Sequence, residues 1–286
     1  MKKVLVTAQN SYLGNVLSDA LAQEYLFHKV SLRDPDWQKA SWKGYDVVLH
    51  VAGIAHVSYR SVESQAYFEV NRDMTFKVAQ KAKEEGLSQC LFFSTMLVYG
   101  ESTAKPRPIT ASIPVNPSTA YAQSKLEAEE ALKTLEDDDF RVVILRLPMI
   151  YGPHSKGNYQ KLAALSLKVP FFPVVNNKRS MLFSGDLVLL IDGLITQGFS
   201  GTVYPQNDAP VRTSDLVKTI RAVHGKKTLL IPGFNGLIRW LLPLSPALRK
   251  LFGSFYYDDR LSRLPFKQEK TPFVQSIALS EGVEKV

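Results

Sequence analysis

The sequence lacks several features on which whole protein classes depend. It has one cysteine, Cys90, so it can form no internal disulfide, and no apolar run reaches the roughly 18 residues of a membrane-spanning helix. The five histidines are scattered without metal-ligand spacing, and zinc-finger, RNP and basic-helix patterns are missing. The first residues, MKKVLV, lead directly into an apolar strand without a cleavable apolar segment. We therefore expect a cytoplasmic protein that binds no metal, no nucleic acid and no membrane.

Acidic residues are scarce in only one half of the chain. Residues 1–150 contain 17 Lys and Arg against 18 Asp and Glu, whereas residues 151–286 contain 18 against 9. The net charges are −1 and +9, which together give the overall +8. A basic half suits a phosphorylated substrate, an anionic membrane surface or nucleic acid, and it also describes an ordinary solvated basic face. Because nucleic-acid-binding motifs are missing, we do not expect nucleic acid to be the partner of this basic half.

Apolar strands alternate with helices through the first half, and 45% apolar residues allow a substantial core. This alternation favours a parallel sheet with helices on both faces. We predict an α/β protein with a Rossmann-type, doubly wound sheet in 1–150, to which part of 180–205 returns, and a smaller substrate-binding region in 151–286. The predicted strands are 4–7, 30–32, 47–51, 90–94 and 142–147, and the clearest helices are 16–24, 68–85 and 120–135.

Glycine is sparse in the first strand–turn–helix, which reads VTAQNSYLG over residues 6–14. A dinucleotide-binding fold usually has glycine where Ala8 and Ser11 stand, because one glycine allows the tight turn and the other lets backbone approach the pyrophosphate. Gly14, at the position that packs the helix closely on the strand, is retained. On this stretch alone, a cofactor site and an ordinary βα turn are equally good interpretations.

A tyrosine and a lysine stand four residues apart in YAQSK, residues 121–125, on the helix predicted after CLFFST. This spacing places both side chains on one helical face. A free tyrosine has a pKa of about 10, and a nearby ammonium group favours its phenolate. Tyr121 is therefore a candidate proton acceptor or donor for a sugar hydroxyl or ketone. Taken alone, the pair also describes two surface residues.

YAQSK is one of four segments that occur in a recognisable order. The four are DVVLHVAG at 46–53, STMLVYG at 94–100, YAQSK at 121–125 and RLPMIYGP at 146–153. Together they resemble the motifs of the extended short-chain dehydrogenase/reductase family, in its NAD-dependent epimerase/dehydratase group, which acts on nucleotide sugars. The resemblance covers nearly all of the chain. It implies an enzyme with NAD or NADP as cofactor, and it implies that the glycine-poor first turn is a variant of a real cofactor site.

The resemblance assigns roles to individual positions. Thr95 matches the Ser or Thr that hydrogen-bonds the substrate oxygen, and Tyr121 matches the acid/base. Lys125 matches the residue that holds the nicotinamide ribose and tunes the tyrosine, and Asn71 matches an asparagine behind the active site. The other implied cofactor-binding residues are Thr7, Ala8, Asn10, Ser11, Tyr12, Leu13 and Gly14 in the first turn, Ala52 and Gly53 in DVVLHVAG, and Pro148 beside the nicotinamide.

Two departures from the family pattern are informative. Sugar 4,6-dehydratases of the family have Asp-Glu after the Thr, and this chain has Met96-Leu97, which cannot move protons. Dehydration is therefore not expected, which leaves hydride chemistry at a single carbon. At the end of the second strand, Arg33 stands near the position of the NAD-selective acid. An arginine there can pair with the 2′-phosphate of NADP, whereas the following Asp34 could restore preference for NAD.

The second half contains segments that resemble the family's nucleotide-sugar contacts. They are KGNYQKL at 156–162 and NNKRSMLFSGDL at 176–187, in which FSGDL departs from the usual motif. By this resemblance Asn158, Arg179 and Lys178 bind the diphosphate of a UDP-sugar, for which the planar fork of arginine is well suited. Each of the three is otherwise a surface residue.

The segment GLIRWLLPLSPALRKLFG, residues 236–253, combines apolar residues with three cations. Such a composition occurs in helices that lie on a membrane. Pro243 and Pro246 would interrupt a continuous helix, so we expect a lid or a packing segment.

The resemblance leaves the reaction open between members of a bacterial surface-polysaccharide subgroup. We expect a UDP-hexose 4-epimerase. An NADPH-dependent UDP-4-keto-sugar reductase is the alternative, because both reactions use the same residues. The alternative from another class is a non-catalytic dinucleotide sensor or scaffold, to which Ala8 and Ser11 point. A homodimer formed through a helix pair is implied by the resemblance alone.

Overall fold

The computed structural model describes residues 1–54, 64–104 and 106–283. The chain forms two compact units. The first comprises Met1–Gly100, Val115–Leu147 and Val188–Val203, and the second comprises Glu101–Pro114, Pro148–Leu187 and Tyr204–Val286. The chain therefore leaves the first unit and rejoins it twice.

The described elements are as follows. The strands are β1 (Lys2–Thr7), β2 (Tyr25–Val30), β3 (Val47–His50), β4 (Gln89–Thr95), β5 (Pro108–Ile109), β6 (Arg141–Leu147), β7 (Met149–Tyr151), β8 (Phe171–Pro173), β9 (Met181–Phe183), β10 (Gly201–Val203), β11 (Leu229–Ile231) and β12 (Tyr256–Tyr257). The α-helices are α1 (Tyr12–Ala20), α2 (Ser64–Phe68), α3 (Met74–Glu84), α4 (Ala120–Lys133), α5 (Asn158–Lys168), α6 (Ser184–Thr196), α7 (Thr213–Val223), α8 (Asn235–Leu241), α9 (Pro246–Phe252) and α10 (Phe273–Ser280), and a π-helical turn, Glu69–Asp73, joins α2 to α3.

The first unit is built on a parallel sheet. Within the described residues it has six strands in the order β10-β6-β4-β3-β1-β2, and each neighbouring pair is parallel. Strand β4 is buried along its whole length because helices cover both faces of a sheet of this type. The core includes Val48, Cys90 and Phe92 from adjacent strands. The predicted α/β, Rossmann-type fold is confirmed.

Two predicted boundaries in this unit are wrong. The second strand runs over Tyr25–Val30 instead of 30–32, because β2 is an edge strand with exposed Leu26 that lacks a continuous apolar run. Helix α1 begins at Tyr12 instead of Val16, because the side chain of Ser11 accepts a hydrogen bond from the backbone N–H of Gly14 and caps the helix.

The second unit consists of short elements around its own core. Its strands form three two-stranded pairs, β11-β8, β12-β5 and β7-β9, among the residues that the structure describes. Tyr151 lies at the centre, fully buried, and its hydroxyl is hydrogen-bonded to Ser276 at 2.6 Å and to Asn207 at 2.8 Å. These bonds fix α10 and the segment after β10 to the end of β7.

The segment 236–253 is interrupted where the prolines stand. Helix α8 ends at Leu241, a 3-10 turn contains Pro243, and α9 begins at Pro246. Over the described ranges, none of the helices combines the length and the apolar character needed to cross a bilayer.

Candidate active site

The residues predicted to be catalytic lie where neighbouring parallel strands end. Strands β1, β3 and β4 end at Thr7, His50 and Thr95, and their parallel pairing brings these ends to one edge of the sheet. The chain passes from β1 outward to β2 and then returns to β3 on the other side of β1. Ligands of open α/β sheets bind beside such a reversal of strand order.

Thr95 and Tyr121 meet at this edge. Thr119 caps α4 by accepting a hydrogen bond from the backbone N–H of Ala122 at 3.1 Å, which places Tyr121 in the first helical turn. Burial raises the pKa of Tyr121 to about 12, although a side-chain hydrogen bond with Thr95 acts to lower the pKa. The phenol is therefore protonated at neutral pH. The sequence predicts that the Lys125 ammonium favours the phenolate of Tyr121, whereas in the structure burial is the largest influence on this pKa and raises it.

Lys125 lies one helical turn further on and is 4% exposed. Its Nζ donates a hydrogen bond of 3.0 Å to the backbone oxygen of Phe93 and lies 4.5 Å from the ring centroid of Phe92. Burial lowers the pKa of Lys125 to about 8, and the carboxylate of Glu129 opposes this shift. The ammonium is thus close to its titration point in the physiological range.

Asn71 joins the loop after β3 to α4. Its Oδ1 accepts a hydrogen bond from the N–H of Ile54 at 2.9 Å, and its Nδ2 donates to the oxygen of Ile54 and to Oγ of Ser124, both at 3.1 Å. Ser124 in turn donates to the backbone oxygen of Tyr121 at 2.9 Å. Asn71 sits in the π-helical turn, a feature that often marks functional positions. The network connects Asn71 to the helix that carries Tyr121, and its role behind the active site stays a prediction.

Gly53 leaves no room for a larger residue beside this network. A Cβ at this position would lie 2.9 Å from Oδ1 of Asn71 and 3.2 Å from Nζ of Lys125. Neither group can move without breaking the hydrogen bonds given above. We expect Gly53→Ala to lower the free energy of unfolding by about 1–3 kcal/mol, which is the usual cost of overpacking, and urea denaturation measures the change.

Gly236→Ala is the matched control for this substitution. Gly236 lies in α8, and a Cβ there meets no atom within 4 Å. Alanine should raise the free energy of unfolding by roughly 0.5–1 kcal/mol at such a helical position. If the two substitutions changed stability equally, the close packing assigned to Gly53 would be wrong.

His50 connects β1, β3 and α3 through hydrogen bonds. Its Nδ1 lies 2.8 Å from Oγ1 of Thr7, and its Nε2 lies 2.9 Å from Oγ1 of Thr75. Since Thr75 donates its hydroxyl proton to the backbone oxygen of Asn71, we infer that the proton of the ring is on Nε2. Burial lowers the pKa of His50 to about 3, so the ring is neutral. Its role is to position the loop that contains Gly53.

The first turn has the backbone shape of a glycine turn without the glycine. Ala8 adopts a φ of +96°, in the left-handed region that disfavours residues with a Cβ. Ser11, at the second position where the family usually has glycine, caps α1. Its Oγ accepts a hydrogen bond of 3.2 Å from the backbone N–H of Gly14. A Cβ on Gly14 would lie 3.1 Å from Cγ1 of Val6, which accounts for the glycine that remains.

Restoring glycine at position 8 should relieve strain. A left-handed conformation costs an L-residue about 1–2 kcal/mol, and glycine avoids this cost. Part of the benefit is lost because glycine makes the unfolded chain more flexible. We expect Ala8→Gly to raise the free energy of unfolding by about 0.5–1 kcal/mol, measured by urea denaturation.

The same substitution at the exposed end of α1 serves as the control for Ala8→Gly. Ala20 is the last residue of α1, where glycine should lower stability by up to about 1 kcal/mol. A loss of stability in both variants would contradict the strain at Ala8.

The remaining cofactor candidates of the first unit surround the same sheet edge. Asn10 is exposed, whereas Tyr12, Leu13 and Ala52 are half-buried. The structure adds no hydrogen bond that identifies what these side chains bind. Their assignment stays a prediction.

Arg33 and Asp34 follow the end of β2. Arg33 is exposed and forms no ion pair with any described residue. The carboxylate of Asp34 accepts a hydrogen bond of 3.0 Å from the backbone N–H of Asp36 and caps the 3-10 turn Pro35–Gln38. Oδ1 of Asp34 is therefore engaged in a local cap, while the guanidinium of Arg33 is exposed.

The other predicted residues belong to the second unit. Pro148 is buried, and Asn158 is the exposed first residue of α5, after Gly157 with a φ of +115°. Within the described part of the chain, no hydrogen bond or ion pair joins Asn158 to Lys178 or Arg179.

Lys178 and Arg179 pack beside the residues that follow α9. Nη1 of Arg179 donates a hydrogen bond of 3.2 Å to the oxygen of Gly253, and burial lowers the pKa of Arg179 to about 10. The described residues provide Arg179 with no carboxylate partner. Nζ of Lys178 is exposed and lies 5.5 Å from the ring centroid of Tyr256. A half-buried guanidinium without a counter-charge favours an anionic ligand.

A buried ion pair beneath the catalytic residues was missed in the sequence. Glu129, on α4, is fully buried and pairs with Arg146 of β6, whose side chain is 8% exposed; the Nη2–Oε2 distance is 2.6 Å. Ser94 donates a hydrogen bond to Glu129, and Arg146 donates one of 2.7 Å to the hydroxyl of Tyr99. The position of Arg146 inside the RLPMIYGP motif was the available signal, but it did not indicate a partner.

The chain is similar to proteins of one enzyme family. The sequence model described as "NAD dependent epimerase/dehydratase family" matches residues 2–205. The UDP-glucose 4-epimerase of Vibrio cholerae is 29% identical over an alignment of 291 positions, which covers 92% of this chain and 85% of that protein.

Two solved structures share the fold over nearly the whole chain. The UDP-N-acetylglucosamine 4-epimerase of Methanobrevibacter ruminantium M1, solved with UDP-N-acetylmuramic acid, has a TM-score of 0.78 and 19% identity, covering 98% of this chain and 97% of that one. The dTDP-4-dehydrorhamnose reductase of Bacillus anthracis, solved with NADP, has a TM-score of 0.74 and 20% identity, covering 99% of both chains.

Proposed function

Because the chain belongs to the NAD dependent epimerase/dehydratase family, a family of enzymes, we propose that it is an NAD(P)-dependent UDP-hexose 4-epimerase. The observation that carries this proposal is the meeting of Thr95 and Tyr121 at the sheet edge, with buried Lys125 one helical turn from the phenol. The identity to a UDP-glucose 4-epimerase over 92% of the chain supports the choice of reaction.

The residues of the first unit fit a nicotinamide dinucleotide. Ala8 keeps the left-handed turn that the fold requires there, and the N-terminus of α1 follows it with backbone N–H groups suited to a pyrophosphate. Gly53 is a position at which any Cβ would fill the space between Asn71 and Lys125. We assign the adenosine and pyrophosphate to the first turn and Gly53, and the nicotinamide ribose to Lys125. Bound there, the dinucleotide supplies reversible hydride exchange.

Tyr121 is the residue that exchanges a proton with the sugar C4 oxygen. Its hydroxyl is protonated at neutral pH, so it can donate to a ketone oxygen without further change. Accepting a proton from a C4 hydroxyl requires the phenolate, which the hydrogen bond with Thr95 favours. The resemblance to the family assigns Lys125 a further part in tuning the phenol. Thr95 also holds the substrate oxygen next to the phenol.

The residues after Thr95 are unsuited to removing water from the sugar. Met96 and Leu97 begin a 3-10 turn, and Met96 is buried. Neither side chain can donate or accept a proton. This supports hydride chemistry at one carbon over 4,6-dehydration.

Arg179 is the residue best suited to the diphosphate of the sugar nucleotide. Its guanidinium is half-buried and has no carboxylate partner among the described residues, so an anion would compensate its charge. Its planar fork can donate two parallel hydrogen bonds to a diphosphate. Lys178 and Asn158 are assigned to the same ligand by their resemblance to the family's motifs.

Arg33 supports a second candidate, an NADPH-dependent UDP-4-keto-sugar reductase. The guanidinium is exposed after β2, and Asp34 beside it is already occupied as a cap. A cation at this position pairs with a 2′-phosphate, and a dissociable NADPH suits net reduction. The residues around Tyr121 serve both reactions.

One experiment separates these reactions from a non-catalytic dinucleotide sensor. The purified chain is dialysed exhaustively, its absorbance is recorded, and it is assayed with UDP-hexoses and with a UDP-4-keto-hexose plus NADPH. Retained cofactor with interconversion of UDP-hexoses supports the epimerase. An empty protein that oxidises NADPH with the keto sugar supports the reductase, and dinucleotide binding without turnover of either substrate would overturn both.

A further inference from the structure

Helix α8 and the 3-10 turn after it expose large apolar side chains. Leu237 is 51% exposed, Trp240 is 68% exposed and Leu244 is 68% exposed, and Phe234 before the helix is also exposed. We call these four residues the α8 patch. Single exposed apolar residues are ordinary, but a cluster on one short segment marks a contact surface.

The α8 patch is not needed for the core of the second unit. Ile238 on the same helix packs against that core, and Leu242 is buried. The helix therefore attaches through one face and presents further apolar residues on the other. Apolar side chains clustered on a face directed away from the core are a usual sign of an interaction site. A binding partner is therefore expected to cover the outer face.

A second exposed apolar pair lies close in the sequence. Leu229 of β11 is the register partner of Phe171 of β8, and both are exposed. Leu229 precedes Phe234 by five residues. The second unit thus exposes further apolar side chains besides those of the α8 patch.

The stretch of sequence that contains the α8 patch is basic, and Glu101, from another part of the chain, pairs with one of its cations, Arg249. Residues 216–257 include no Asp or Glu. Lys226, Lys227, Arg239 and Lys250 in this stretch are exposed, and Arg239 directly precedes Trp240. A second copy of the chain would bring this basic surface against itself, with like charges facing each other, whereas an anionic surface would neutralise it.

We propose that the α8 patch inserts into the headgroup region of an anionic lipid bilayer. Tryptophan is favoured at membrane interfaces, and each exposed Lys or Arg near the surface adds attraction to anionic lipids. The two short helices and the intervening proline turn lie on the surface as separate pieces, so a continuous helix is not required. The composition of 236–253 already suggests a membrane-surface segment, and the expectation of a lid or packing segment rests on the interruption by Pro243 and Pro246.

The experiment uses the whole chain and vesicles of defined composition. The protein is mixed with phosphatidylcholine vesicles that contain or lack phosphatidylglycerol, and bound protein is measured by flotation at low and physiological salt. Trp240 reports insertion, because the other two tryptophans, Trp37 and Trp42, are buried. We expect binding to the anionic vesicles only, with a blue shift of tryptophan fluorescence.

Substitutions test whether the α8 patch is responsible. Trp240→Ser and Leu244→Ser should each lower partitioning about tenfold, since each removes the burial of a large apolar side chain. Leu26→Ser and Leu189→Ser are matched controls, because these leucines are also exposed but lie in the first unit. Their partitioning should equal that of the wild type.

Three results would overturn the proposal. They are no binding to anionic vesicles at physiological salt, equal binding to neutral vesicles, and a concentration-dependent dimer that Trp240→Ser dissociates. The last result would assign the α8 patch to a second copy of the chain. Because none of these measurements uses a sugar nucleotide, they stay independent of the proposed enzymatic activity.

Discussion

Replacing Tyr121 with phenylalanine is expected to lower kcat by about 10²–10⁴-fold, the range that a positioned acid/base contributes. The substitution removes only the hydroxyl, which hydrogen-bonds Thr95, and it keeps the ring in the first turn of α4. Binding of the dinucleotide should be retained, because Lys125 and Gly53 are unchanged. The measurement is turnover of the substrate identified by the dialysis experiment, together with a titration of cofactor binding.

Tyr67→Phe is the matched control for Tyr121→Phe. The rings of Tyr67 and Tyr121 lie 6.2 Å apart in an edge-on contact. Losing the hydroxyl of Tyr67 should leave turnover close to the wild-type value, because this ring contact is kept. If Tyr121→Phe kept wild-type turnover, or if both variants lost it equally, Tyr121 would not be the acid/base.

Removing the carboxylate of Glu129 is expected to produce the largest loss of stability. Glu129→Ala removes the buried carboxylate that pairs with the guanidinium of Arg146. Breaking a buried pair in this way costs about 3–5 kcal/mol, because the desolvated charge loses its compensation. Urea denaturation of the apo protein gives the change in the free energy of unfolding.

Glu130→Ala distinguishes the ion pair from a general effect on α4. Glu130 is the next residue of the helix, and its side chain is 67% exposed. Its Oε1 lies 3.9 Å from Nζ of Lys133. Its loss should change stability by no more than about 0.5 kcal/mol. Replacing both Glu129 and Arg146 with apolar residues should recover part of the loss. Equal effects of Glu129→Ala and Glu130→Ala would show that the buried pair contributes little.

The fold and the family could be predicted from the sequence because both follow from local patterns. Apolar strands of the central sheet, such as Cys90–Phe93, are visible as runs in the sequence, and YAQSK reveals Tyr121 and Lys125 by spacing alone. The structure places the side chain of Thr95 in a hydrogen bond with Tyr121. The roles of these residues remain predictions until turnover is measured.

The other features depend on contacts between distant residues, which a single sequence does not show. The ion pair of Glu129 and Arg146 joins residues 17 positions apart, and the hydrogen bond of His50 with Thr7 joins residues 43 positions apart. The pKa of Tyr121 follows burial more than its neighbour in the helix, and burial is a property of the folded chain. Likewise, the left-handed backbone of Ala8 cannot be read from the residue type.

The return of residues 188–203 to the first unit has a consequence for synthesis of the chain. Strand β10 completes one edge of the sheet by pairing with β6, and Lys2 of β1 donates a hydrogen bond to the oxygen of Ile195. Val203 must therefore have left the ribosome before the sheet of the unit that contains Tyr121 can be completed. Until then, β6 is an unprotected edge of a nascent sheet, and pauses in translation between Leu147 and Val203 would favour aggregation.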